Sequence, residues 1–227
     1  MNRYRHEYKY LLNTRQETIL LTGVPGILMR DSHVEANGSY LIRSLYFDDY
    51  SDSCYFENES GTDSRSKFRI RYYNNVSSQL HLEKKSKIRG MIKKEMCLLN
   101  QEEYQILLKG NIPTITLEMP EPKKKLFLEM HLRQLVPKVI VTYERIPFVY
   151  HAGNVRITFD RKLSSSTDVM NFLSGDYPVR PVFPLGGSLL EVKWDQLLPP
   201  HIKDFMKLNT LQWTSFSKYY MCRQYHL

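Results

Sequence analysis

The sequence predicts an α+β protein in which roughly eight antiparallel strands curl into a barrel with helices packed outside. In residues 67–72, Lys67, Arg69 and Arg71 alternate with apolar residues. Because successive strand side chains point to opposite faces, these three cations share one face. A charged face that curls inward is costly unless an opposite charge fills the interior, so a polyanion is the expected ligand. The same alternation recurs in residues 5–10, 82–85, 155–160 and 190–194.

Alternating runs rich in β-branched and aromatic residues, bounded by turn residues, predict the strands. The asparagine pair at 74–75 and the Arg-Gly pair at 89–90 are the turns that separate three consecutive strands. These short connections favour antiparallel pairing. The strands are expected at residues 3–13, 39–48, 66–74, 79–89, 91–99, 138–149, 154–163 and 187–195.

N-cap residues and glycine or proline stops predict the helices. Asn100 stands before two first-turn acids, and Gly110 ends that helix. Thr14 and Glu17 have capping-box spacing ahead of an earlier helix. The proline-rich stretch 164–186 is expected to be irregular. The helices are expected at residues 15–22, 101–109, 123–135, 199–208 and 215–225.

Each alternating pattern also fits an ordinary half-exposed strand, which has its apolar face on a core and its polar face in water. Solvent-facing strand surfaces usually mix Ser, Thr, Lys and Glu, whereas these faces are dense in Arg and Lys with one carboxylate each. The composition therefore favours charged faces that line a closed barrel and apolar faces that pack outward against helices.

Length and charge limit the domain count and the class of partner. The chain has 227 residues with 42% hydrophobic content, which suits a single domain over residues 1–227. The 32 Lys and Arg against 24 Asp and Glu give a net charge of +8, which favours phosphate-rich partners. The charge alone does not choose among nucleic acid, nucleotides, polyphosphate and an anionic membrane surface.

The cysteines and the hydropathy indicate the cellular compartment of the protein. Cys54, Cys97 and Cys222 are far apart in sequence, which indicates free thiols in a reducing compartment and no zinc site. No apolar run approaches the roughly 20 residues that a membrane helix needs. We expect a cytoplasmic protein, and docking on a membrane protein is left open.

Seven segments stand in the order that they have in a known family: residues 5–10, 67–71, 82–85, 143–145, 155–160, 190–193 and 215–218. In this the chain resembles the VTC domain, the polyphosphate polymerase domain of the vacuolar transporter chaperone. That domain is a member of the triphosphate tunnel metalloenzyme, or CYTH-like, superfamily. The resemblance extends from about Tyr4 to about Arg223. It implies an antiparallel, eight-stranded tunnel that holds a triphosphate or a polyphosphate chain.

The resemblance, together with the shared strand faces, implies roles for individual residues. A divalent cation, Mn²⁺ or Mg²⁺, is assigned to Glu191 and Glu7. Glu83 and Asp160 are expected to be internal ion-pair partners. Lys94 is an alternative to Lys93, because the register there is open. The residues assigned to catalysis are Arg69, Arg71, Lys85, Arg145, Arg156 and Lys218. The residues assigned to substrate binding are Lys9, Lys67, Lys93, Lys193 and Ser217.

The chain departs from the superfamily's opening Glu-x-Glu-x-Lys pattern, because Arg5 stands at the first acid and only Glu7 and Lys9 match. Hydrolysis of a phosphoanhydride needs a positioned and partly deprotonated water. Polymerisation uses a terminal phosphate oxygen that is already anionic and needs only in-line placement and charge neutralisation. The sequence therefore favours a polymerase that transfers the terminal phosphoryl group of ATP to polyphosphate and releases ADP.

Two alternatives stay open. A triphosphatase shares the tunnel and the metal but releases phosphate without polymer. A non-catalytic module binds polyphosphate or nucleotide without turnover. Nucleic-acid binding ranks lower, because the basic residues interleave with core residues and form no exposed patch with stacking aromatics. The lysine run at 123–125 is expected to be an exposed helix start, and the sequence gives no oligomeric state.

Overall fold

A computed structural model describes residues 5–32, 34, 37–74, 76–184, 186–205 and 211–227. Its strands are β1 (His6–Leu12), β2 (Met29–Arg30), β3 (Tyr40–Asp48), β4 (Arg65–Tyr73), β5 (Val76–Ile88), β6 (Met91–Leu99), β7 (Val136–Tyr150), β8 (Val155–Ser166), β9 (Arg180–Pro181) and β10 (Ser188–Trp194). Its helices are α1 (Thr14–Gly23), α2 (Ser53–Glu59), α3 (Gln101–Leu108), α4 (Glu121–Leu132), α5 (Pro200–Phe205) and α6 (Lys218–Gln224).

Eight long strands form one antiparallel sheet within these residues, in the order β1-β10-β8-β7-β3-β4-β5-β6. The short strands β2 and β9 pair with β7 and β8. The sheet curls until its two edges meet at an isolated bridge between Arg5 and Ile92. Further along β1, the amide of Thr214 donates to the carbonyl of Lys9 at 2.9 Å, so residues 211–217 cover that edge. The predicted curled antiparallel sheet of eight strands with helices outside is confirmed.

Two apolar clusters lie on the outer face of the sheet, where the helices cover them. One contains Phe68 and Ile70 of β4 with Phe127 of α4. The other contains Phe159 of β8 with Leu20 of α1. Fully burying such a side chain contributes about 1.5–3 kcal/mol, so the outer face carries the main hydrophobic stabilisation.

A third apolar cluster lies on the inner face, where α6 packs against the sheet. Tyr219 and Cys222 of α6 join Val139 and Val141 of β7, and all four are buried. Ser217 caps α6, because its side chain accepts from the amide of Tyr220. The concave side is therefore part apolar, filled by α6, and part charged.

Three local predictions need correction. Asn13 caps α1, because its side chain accepts from the amide of Gln16 while the Gln16 side chain accepts from the amide of Asn13. Helix α2 was not predicted. Its first amides donate to the buried carboxylate of Asp48, a residue outside the helix. The stretch 164–186 is partly ordered, because β8 runs to Ser166 and pairs with β9.

The other predicted elements are present with shifted ends. The predicted residues 3, 4 and 206–208 lie outside the described part of the chain. Cys54, Cys97 and Cys222 are free thiols. In the described part of the chain, every helix is too short or too polar to cross a membrane.

Candidate active site

The charged part of the concave face surrounds a cavity of about 260 Å³. Among the described residues, ten cationic side chains line this cavity, against two carboxylates. They come from β1, β4, β5, β7, β10 and α6. The cations are Lys9, Arg65, Lys67, Arg69, Arg71, Lys85, Lys87, Arg145, Lys193 and Lys218, and the carboxylates are Glu7 and Glu191. Such an excess of positive charge suits a ligand that carries several negative charges.

Strand register brings these side chains together. On β1 and β10, Lys9 is opposite Glu191. On β4 and β5, Arg69 is opposite Glu83. Because partners in an antiparallel pair project from the same face, each pair points into the curl of the sheet.

Glu83 forms ion pairs with one group of cations on this inner face. Its carboxylate is 2.6 Å from Arg69, 2.5 Å from Lys94 and 3.8 Å from Arg71, and the side chain is 1% exposed. Burial alone would raise the pKa of Glu83, but the two arginines and the lysine outweigh it and lower the pKa far below its usual range. The prediction that Glu83 is an internal ion-pair partner is confirmed.

Asp160 forms ion pairs with a second group of cations and so connects α6 to the sheet. Arg145 donates to both of its oxygens, at 2.6 and 2.7 Å. Lys218 lies 2.6 Å from Asp160 and 2.8 Å from Glu191. Burial opposes the charge on Lys218, but Asp160 and Glu191 together raise its pKa. Asp160 is therefore an internal ion-pair partner too, as predicted.

Glu7 and Glu191 converge on one ammonium group. Lys193 lies 3.2 Å from Glu7 and 2.9 Å from Glu191. Lys9 is 3.6 Å from Glu7, and Lys85 is 3.3 Å from it. Burial raises the pKa of each carboxyl group, but the surrounding lysines lower it below the ordinary value, so both are ionised.

The two carboxylates fit a divalent cation that is shared with a phosphate ligand. Mg²⁺ is usually held by one or two carboxylates together with substrate phosphates and water. Glu7 Oε1 is buried, makes no hydrogen bond within the described residues and lies 3.2 Å from the Lys193 ammonium, so a cation already faces this oxygen. Within those residues no group of three or more His, Cys, Asp or Glu side chains could hold a metal by itself.

Two of the predicted cations are not brought to the cavity. Lys93 lies on the outer face and pairs with Glu95 at 3.3 Å. The β5–β6 register puts Lys94 opposite Lys85, so Lys94 is the inward-facing lysine of that dipeptide. Sequence alone left this choice open.

Arg156 is the other predicted cation that does not line the cavity. Register places it opposite Lys193, but its guanidinium turns to Asp31 at 2.9 Å and donates to the Tyr40 hydroxyl at 3.0 Å. Arg5, where the superfamily pattern has an acid, pairs with Asp195 at 2.6 Å.

A sequence profile of the family described as VTC domain matches residues 4–226. The chain belongs to the VTC domain family. The family resemblance predicted from the seven segments is thereby confirmed. A comparison of this VTC domain with curated protein sequences gives no significant match.

Solved structures share the fold of this VTC domain. An adenylate cyclase candidate from Bacillus halodurans matches with a TM-score of 0.55 at 13% identity, over 95% of each chain. An adenylyl cyclase candidate from Hippeastrum, described as having a dominant triphosphatase activity, matches with a TM-score of 0.57 at 14% identity. That match covers 99% of this chain and 97% of the other. At such identities the likeness establishes the fold alone.

Several cavity residues of this VTC domain were missed from sequence. Tyr143 is buried, and its hydroxyl accepts from Arg71 at 3.2 Å. Burial raises the pKa of Tyr143, but Arg145, Arg71 and Lys218 together lower it below the usual value. Alternation with Arg145 was the signal that could have found it. Asn58 had no sequence signal, because it lies on the unpredicted helix α2.

Proposed function

We propose that this VTC domain is a polyphosphate polymerase that transfers the terminal phosphoryl group of ATP to a growing polyphosphate chain and releases ADP. The observation that supports it is the convergence of ten cations and two carboxylates on one cavity in the described residues. Both substrates and the product are polyanions, and the cavity has the charge to hold them in contact.

The reaction needs placement and charge neutralisation more than a base. The attacking oxygen of a polyphosphate end is already anionic, so no residue has to remove a proton from it. Glu83 fixes the guanidinium group of Arg69 and Tyr143 that of Arg71, and guanidinium groups held in this way are good donors to phosphate oxygens. Lys218 adds charge from the α6 side. Preorganised cations of this kind stabilise the charge that spreads over the transferred phosphoryl group.

The proposed metal ligands are Glu191 and Glu7, which would hold Mn²⁺ or Mg²⁺ against phosphate oxygens. A divalent cation held there would supply charge neutralisation to the phosphate oxygens. Lys193 and Lys9 now neutralise these carboxylates. A divalent cation held by Glu7 and Glu191 would supply this neutralisation instead, and Lys193 and Lys9 would then be available to bind phosphate.

The decisive experiment incubates the purified protein with ATP and Mn²⁺ and resolves the products on a gel stained for polyphosphate. ADP and free phosphate are assayed in parallel. A polyphosphate ladder with stoichiometric ADP is the expected result. Arg71→Ala and Glu191→Gln should each abolish the ladder while circular dichroism reports a folded protein. Synthesis retained by both folded variants would show that the site assignment is wrong.

Glu144→Gln is the matched control for these variants. Glu144 precedes Arg145 on β7 but pairs with Lys162 at 3.1 Å, away from the cavity. The loss of a carboxylate there should leave synthesis near the wild-type rate.

A triphosphatase is the second candidate, and the Hippeastrum relative with a dominant triphosphatase activity favours it. This reaction needs an activated water in place of a phosphate acceptor. Free phosphate released without a ladder in the same assay would select this function over the polymerase.

A further inference from the structure

Lys67 is held in the cavity by neutral groups. Its Nζ donates to Asn58 Oδ1 at 2.7 Å and to Ser217 Oγ at 3.0 Å, and it lies 4.8 Å from the centre of the Tyr219 ring. Among the described residues, no carboxylate forms an ion pair with it. Arg69 and Lys218, by contrast, each contact a buried acid.

The two oxygen acceptors match the two N–H groups of a neutral amine. An ammonium group has three N–H donors, so protonation of Lys67 creates a donor that these two oxygens leave without a partner. A phosphate oxygen in the cavity can accept from that third N–H. The hydrogen bonds to Asn58 and Ser217 thus suit the amine, and those of a phosphate complex suit the ammonium.

The charged groups around Lys67 also disfavour its ammonium form. Lys85 faces it from β5, Lys9 from β1 and Arg65 from its own strand. Burial, together with these three cations, lowers the pKa of Lys67 to about 7.

Helices α2 and α6 supply little compensating charge, and the attraction of the Tyr219 ring face for the ammonium form is what α6 contributes. Cys54 of α2 acts in the opposite direction to the cations, but burial raises its own thiol pKa and keeps it neutral. Glu57 pairs with Arg133 at 3.4 Å, and Tyr219 donates to Asp48.

We propose that Lys67 takes up a proton from solvent when a phosphate anion binds in the cavity, and that phosphate affinity therefore falls as pH rises above neutrality. The amine lone pair accepts the proton, and the resulting ammonium donates to a phosphate oxygen. The complex then holds more protons than the free protein, and by linkage the affinity decreases between the pKa of the free state and the higher pKa of the complex. This inference rests on the proposed function, since it assumes a phosphate ligand in this cavity.

The test is calorimetric binding of tripolyphosphate at pH 8 in buffers of different ionisation enthalpy, without divalent metal. At that pH a group with a pKa of 7 is about 90% neutral, so the wild type should take up about 0.9 proton more per ligand than Lys67→Arg. Arginine keeps its charge throughout, so the variant binds without this uptake. Protons that the ligand itself gains or loses are common to both proteins and cancel in the difference.

Lys67→Met is the second variant, and it should bind more weakly and also lack the extra uptake. Lys162→Arg, a change at an 81% exposed side chain outside the cavity, should match the wild type. Equal proton uptake by the wild type and either folded Lys67 variant would overturn the inference and leave the proposed function standing. If wild-type protein does not bind tripolyphosphate at all, the proposed function fails and this inference fails with it.

Discussion

Glu83 offers the sharpest test of how internal acids stabilise the basic cavity. Its carboxylate is 1% exposed and contacts Arg69, Arg71 and Lys94 at 2.6, 3.8 and 2.5 Å. Glu83→Gln keeps the shape of the side chain and removes its charge, which leaves the buried Arg71 and the partly buried Arg69 without their counter-charge. Breaking a buried pair in this way costs about 3–5 kcal/mol. Since each kcal/mol shifts the melting temperature of a chain of this size by about 2–4 °C, the variant should melt roughly 6–20 °C lower.

A phosphate ligand should restore much of this loss, because it supplies the missing negative charge. Tripolyphosphate at about 100 times its Kd stabilises a protein by about 2.7 kcal/mol. The gain should be larger for Glu83→Gln than for the wild type, because the anion meets arginines with no internal acid. The variant therefore binds tripolyphosphate more tightly even though it is less stable.

Thermal melting followed by circular dichroism, with and without tripolyphosphate, measures both effects. Glu129→Gln is the matched control, because Glu129 of α4 pairs with Lys84 on the outer face and is partly exposed. Its loss should cost about 1 kcal/mol or less. The reasoning is refuted if Glu83→Gln melts within 2 °C of the control, or if the ligand stabilises the variant and the wild type equally.

Three further predictions concern the same framework. Because the folded pKa of Glu83 is depressed, its contribution to stability is present above the unfolded pKa and is lost as pH falls through the acid range. Melting from pH 7 to 3 should therefore show a shallower loss for Glu83→Gln, and parallel curves would contradict this. Asp48→Asn replaces one of two carboxylate oxygens that together accept from the amides of Cys54 and Tyr55 at the start of α2 and from the Tyr219 hydroxyl, so the free energy of unfolding should fall by about 1–3 kcal/mol in denaturant titrations. Tyr143→Phe removes the hydroxyl that orients Arg71, and kcat/KM for phosphoryl transfer should drop about 10- to 100-fold with an unchanged melting temperature. An unaltered kcat/KM would exclude that role.

The inward charge of the strands was predictable because alternation is a local property. Lys67, Arg69 and Arg71 must share a face wherever their strand lies, and the density of cations indicated that this face meets an anion. The helix after Asn100 was equally readable, because a capping box satisfies backbone groups within three residues.

Features set by contacts distant in sequence were not predictable. Helix α2 begins at amides that donate to Asp48, and Asp48 in turn accepts from Tyr219, which is far along the chain. The sequence of α2 itself contains no signal that predicts these hydrogen bonds to Asp48. Asn58 reaches the cavity only because of it.

The alternating sequence by itself determined which residues of each strand share a face, and hence a basic interior for a polyanion. Tertiary structure decided which cations reach the cavity. The β5–β6 register places Lys94 on the inner face and Lys93 on the outer face. The guanidinium of Arg156 forms an ion pair with Asp31 and does not line the cavity. It also left Lys67 with neutral partners. Which cation reaches the cavity depends on strand pairing and on ion pairs between residues that are distant in sequence. Neither is determined by a local sequence pattern.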